Sequence, residues 1–133
     1  MITFLLSVRK RFRVVFLFLY VICIIALSLL PPNDLPKVKL FNGFDKVVHF
    51  LMYFPFSALL CWVFSAELKS SRFVAVIGLA VFWGIFMEFL QLEMRMGRSF
   101  SWYDELANFS GIIVGTLCYW LLTRKFANPE EKY

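Results

Sequence analysis

One histidine, three cysteines, six glycines and a charged fraction of only 17% in 133 residues remove several functional classes at once. Cys23, Cys61 and Cys118 fall inside apolar stretches with no CxxC or Cys/His spacing, so neither a disulfide framework nor a zinc site is implied. Thiols in such places behave as small hydrophobes and read as packing or lipid-facing residues. The lone histidine, His49, forms no His/Cys pair and no facial-triad spacing, so no metal, haem or other cofactor is expected. The glycines form no phosphate-cradling loop, and the chain has neither an internal repeat nor a low-complexity segment. Lysine and arginine outnumber the acids to give a net charge of +5. They flank apolar runs instead of interleaving with aromatics, which excludes nucleic acid as a partner.

What fills the chain is apolar: 61% of residues are hydrophobic and the mean hydropathy is +0.74, outside the soluble globular range. Four runs, about 12–30, 47–64, 73–92 and 106–122, each approach the roughly 20 residues a helix needs to cross a bilayer. The expectation is an all-α integral membrane bundle of four transmembrane helices forming a single domain over residues 1–133, surrounded by membrane lipids. The first run has a basic start and an Ala26-Leu27-Ser28 triplet, as a signal peptide would. It continues through Leu29 and Leu30, beyond the roughly 7 to 15 residues of such a region, and is read as a retained span. Cys23 follows Ile22 where a lipoprotein acceptor would follow a small residue, so it is not read as a lipid-modified cysteine.

Basic residues are retained preferentially on the cytoplasmic side. Arg9, Lys10, Arg11, Arg13, Lys69, Arg72, Arg124, Lys125 and Lys132 lie on one side, nine of the fourteen; Lys37, Lys39, Lys46, Arg95 and Arg98 lie on the other. Both termini are therefore expected to be cytoplasmic, in a bacterial inner membrane, with loops at about 31–46 and 93–105 facing outward. Pro31-Pro32 and Asn33-Asp34-Leu35-Pro36 read as a stop and a turn, because proline lacks the amide donor and its predecessor avoids helical geometry. Pro55 predicts a packing kink in the second span.

Ionisable and amide groups gather at the outward ends. Asp45 and His49 are four apart, with Tyr53 one turn deeper; Glu88 and Gln91 are three apart and share a face. Arg98 lies in the second outer loop, with Lys46 near the first. On the fourth helix Asp104, Asn108, Gly111 and Gly115 form one stripe, polar at its outer end and small further in. Gly111 and Gly115 make a GxxxG, which serves close packing either within the bundle or in a homo-oligomer. Individually, Asp45 and Asp104 read equally as helix caps and His49 as a packing histidine. Glu88 is harder to place structurally, since a carboxylate about one turn inside the membrane either becomes protonated or finds a cation such as Arg98 or a histidinium.

Asp45-Lys46-Val47-Val48-His49-Phe50-Leu51-Met52-Tyr53, then Glu88-Phe89-Leu90-Gln91, then Arg98 to Asp104 with Asn108, Gly111 and Gly115, closely resembles the VanZ-like family. The resemblance covers about Asp45 to Gly115, and the run ending in Leu29-Leu30-Pro31 is similar to the family's first helix. It implies a membrane protein related to one associated with resistance to the glycopeptide teicoplanin. It does not imply an activity, which must come from the site.

Two readings stay open. In the first, an outward-facing site binds and modifies an anionic cell-envelope or lipid-linked ligand: Lys46 and Arg98 hold phosphate or carboxylate, and His49, Glu88 and Asp104 exchange protons as catalytic groups. Asp45, Tyr53, Gln91 and Asn108 then complete the ligand site. No nucleophile motif surrounds Ser99 or Ser101, so acid/base chemistry is favoured over covalent catalysis. In the second, the chain is a non-enzymatic structural or interaction protein whose polar groups lock the bundle. Transport ranks last, because the spans below Tyr53 and Glu88 are mainly apolar or small.

Overall fold

The computed structural model describes residues 7–29, 41–64, 70–94 and 101–127. These form α1 (Lys10–Leu29), α2 (Phe44–Phe64), α3 (Ser70–Glu93) and α4 (Trp102–Ala127), with no strand among the described residues. All four are long and apolar enough to cross a membrane. Large apolar side chains such as Phe16, Phe18, Val74, Phe82 and Leu106 point away from the bundle, as a helix surface bathed in hydrocarbon requires. The expected turn at Pro31–Pro36 and the loop carrying Arg98 lie outside the described residues.

α2 and α4 begin earlier than the apolar runs alone imply, and local chemistry accounts for both starts. Gly43 has φ +88°, a left-handed conformation suited to glycine, and its carbonyl accepts from the amides of Lys46 and Val47. At α4 the Ser101 hydroxyl accepts the Asp104 amide at 3.3 Å, while its carbonyl accepts Asp104 and Glu105. Ser101 is therefore the N-cap. Asp104 lies inside the first turn and is free to point sideways, which corrects the capping alternative for that residue.

α2 and α4 run parallel and form the most extensive helix pair. The Asp104–Gly115 stripe faces α2 along its whole length. A Cβ on Gly111 would lie 2.5 Å from the Phe50 carbonyl oxygen, and one on Gly115 would overlap the Phe54 carbonyl and the Ser57 hydroxyl. The glycines thus let two backbones touch within one chain. A second copy using this stripe would have to displace α2.

The core gathers Ile24, Tyr53, Phe56, Leu60, Cys61, Val76, Ala80 and Ile112 between the four helices. Cys61 is buried in it, Cys23 is exposed and all three cysteines are free, as packing thiols would be. α1 is tied to α2 at two points. Near its start the Arg13 guanidinium donates to the Trp62 carbonyl at 3.0 Å and lies over the Trp62 ring. Further along, the Tyr20 hydroxyl donates to the Met52 carbonyl at 2.9 Å. α2 remains helical through Pro55.

Candidate functional site

Short connections and alternating directions bring the end of α3 and the beginnings of α2 and α4 to one end of the bundle. There the polar residues meet. Asn108 is 1% exposed, and its amide nitrogen donates to Glu105 Oε2 at 3.2 Å. A carboxylate oxygen accepts, so this bond fixes the amide orientation and turns Oδ1 toward His49, 3.0 Å from Nδ1. An amide oxygen also only accepts, so Nδ1 carries the proton. In the neutral ring the Nε2 lone pair is then left facing the remaining carboxylates.

Those carboxylates belong to Asp104 and Glu88. Asp104 Oδ2 is 4.0 Å from His49 Nε2, beyond hydrogen-bond distance, while its Oδ1 pairs with Lys46 Nζ at 2.8 Å. Glu88 is 1% exposed, and the Ser101 amide donates to its Oε2 at 3.4 Å. One ligating atom from each of His49, Glu88 and Asp104 lies within 4.8 Å of the other two. An imidazole and two carboxylates, each from a different helix, therefore face a common point.

Not every expected residue joins them. Asp45 is exposed and pairs with its neighbour Lys46, at the rim. Gln91 is buried but donates to the Ser28 carbonyl of α1 at 2.9 Å, so its amide joins α3 to α1. Tyr53 sits in the core with its ring edge-on to Phe56. Arg98 lies outside the described residues. Lys46, His49, Glu88, Asp104 and Asn108 are brought together.

Glu105 is the residue that reasoning along the sequence missed. It is 9% exposed, supports Asn108, and lies against Gly84 of α3, where an added Cβ would sit 3.2 Å from both carboxylate oxygens. Extending α4 by one turn would have shown Glu105 and Asn108 three apart on a shared face. The place of Gly84 opposite could not be read without helix packing.

A model of the VanZ/LLP1 family matches residues 12–123, spanning all four helices and every residue of the polar cluster. The chain belongs to the VanZ/LLP1 family. No curated protein and no solved structure matches it. Family membership and four apolar helices make this VanZ/LLP1 chain a multi-pass membrane-type protein.

Proposed function

We propose that this VanZ/LLP1 protein binds, and acts by proton exchange on, an anionic cell-envelope ligand, most specifically a lipid-linked headgroup, at the outer face of a bacterial cytoplasmic membrane. The observation that carries the reading is the His49 ring: Asn108 holds Nδ1 at 3.0 Å, while Nε2 faces Asp104 and Glu88 beyond hydrogen-bond distance of Asp104. A packing histidine has its nitrogens satisfied; one oriented nitrogen without a hydrogen-bond partner among the described residues, beside two carboxylates, is arranged to take or give a proton. Lys46, partly exposed above them, supplies positive charge toward a phosphate-rich interface, and the sequence adds Arg98 between α3 and α4. The excess of basic residues at the opposite ends of the helices supports an outward orientation with both termini inside. On this reading the teicoplanin association of VanZ-like proteins reflects a site that handles envelope ligands, and expression of the chain shifts teicoplanin susceptibility.

The test is native mass spectrometry of the purified protein with co-purifying lipid. Wild type retains an anionic lipid, and Lys46→Gln and Arg98→Gln retain less at equal abundance. His49→Gln and Glu88→Gln, which leave the cations in place, keep the lipid. Equal retention by wild type and all four folded variants contradicts the reading. It would favour the alternative, a non-enzymatic bundle locked by the Glu105–Asn108–His49 chain and the Gln91–Ser28 bond.

A further inference from the structure

We infer that His49 Nε2, Glu88 and Asp104 Oδ2 form a binding site for a divalent first-row metal ion, of the manganese or zinc kind. Spacing within one helix gives no hint of it, because each donor comes from a different helix: α2, α3 and α4. Packing places one donor atom of each within 4.8 Å of the other two. Two ligands about 2.1 Å from a common tetrahedral ion are about 3.4 Å apart, so an ion would draw this set inward by roughly one ångström. His49 Nε2 and Asp104 Oδ2, at 4.0 Å, are already closest to that spacing.

Three further features fit an ion better than a bare acid/base pair. The outer nitrogen of a metal-bound histidine is characteristically held by a hydrogen-bond acceptor, which fixes the tautomer. Asn108 does this here, and Glu105 in turn holds Asn108. Asp104 divides its oxygens, Oδ1 to Lys46 and Oδ2 to the cluster, so its carboxylate is oriented before any ion arrives. Among the described residues the cluster gathers the carboxyl groups of Glu88, Asp104 and Glu105 with one lysine, Lys46, which pairs with Asp104 and is shared with Asp45. A cation bound among carboxyl groups in a low-dielectric setting favours their ionised form and is held strongly by it.

One imidazole and two carboxylates make a mixed nitrogen and oxygen donor set, which suits manganese or zinc better than the all-oxygen preference of magnesium or calcium. Three protein donors leave at least one coordination position open, where an oxygen of an incoming ligand can bind. An ion held by Nε2 takes the place of proton exchange at that nitrogen and leaves headgroup binding by Lys46 and Arg98 as proposed, so the metal site and the headgroup reading can fail separately.

The experiment uses the full-length protein in nanodiscs, stripped with chelator and titrated with Mn2+ while free Mn2+ is followed by electron paramagnetic resonance. One ion per chain is expected, displaced by Zn2+ but not by equimolar Mg2+. Glu88→Gln and Asp104→Asn should each weaken binding at least tenfold, whereas Glu93→Gln, an exposed carboxylate near the same end, should not change it. Because the buried-site variants can fail to fold, the wild type carries an independent readout: electron spin echo modulation of bound Mn2+ should show 14N coupling from the single histidine. No stoichiometric binding, or bound Mn2+ without 14N coupling, overturns the site. Lipid retained after chelation, with no metal bound, sinks this inference and leaves the headgroup reading standing; metal bound without lipid does the reverse.

Discussion

His49 on α2 and Asn108 on α4 meet at 3.0 Å, imidazole Nδ1 to amide oxygen, across the closest helix pair in the bundle. Glu105 sets the amide orientation from the same helix as Asn108, and the amide sets the proton position on the ring. A side chain that makes no contact with the open face of the imidazole thus decides which nitrogen is open.

Replacing Asn108 by alanine strands both neighbours. The Nδ1–H of His49 and a Glu105 oxygen lose their partners, and each unsatisfied buried group costs about 1 to 3 kcal/mol. Asn108→Ala should therefore lower the unfolding free energy in micelles by at least about 2 kcal/mol. Ser110→Ala, on the exposed side of the same helix, should stay within about 0.5 kcal/mol. Nitrogen-15 shifts of labelled His49 should show Nδ1 protonated in wild type and a changed tautomer balance in the variant. Equal stability and unchanged shifts would mean that the three residues are not coupled.

The glycine stripe predicts a graded response. Gly115→Ala must push the Phe54 carbonyl and Ser57 aside, and Gly111→Ala presses on the Phe50 backbone; overpacking of this kind costs about 1 to 3 kcal/mol. Gly78→Ala meets nothing within 4 Å and removes a flexible residue from a helix, so it should be neutral or slightly stabilising. Thermal unfolding of the three variants checks the order. A dimer broken by Gly115→Ala with the monomer's stability unchanged would instead place the stripe between copies.

Much of this was legible in the sequence because it depends on periodicity. The four helices follow from run length, and the face shared by Asp104, Asn108, Gly111 and Gly115 follows from the helical repeat; all four turn toward α2. What the sequence did not show depends on capping and on contacts between helices. Ser101 starts α4 a turn earlier than hydropathy suggests, bringing Glu105 into the helix and onto Asn108. Gln91 shares a face with Glu88, yet its amide reaches back to α1, because the Ser28 carbonyl near that helix's end lies within reach. Periodicity fixes a face; the neighbour across it decides the role.

Orientation predicts a labelling pattern. Single cysteines at Asn42 and Gly97, in a chain lacking its native cysteines, should react with an impermeant thiol reagent from outside intact cells. One at Ser70 should react only after permeabilisation. The reverse pattern would put the polar cluster on the cytoplasmic side, and with it any ligand.

The most direct measurement is a high-resolution map of the protein in nanodiscs carrying its native lipids. The account predicts non-protein density at the point shared by His49 Nε2, Glu88 and Asp104, continuing outward past Lys46, with the His49–Asn108 bond intact. Side chains closed onto one another, with Nε2 hydrogen-bonded to a carboxylate and no added density, would contradict it.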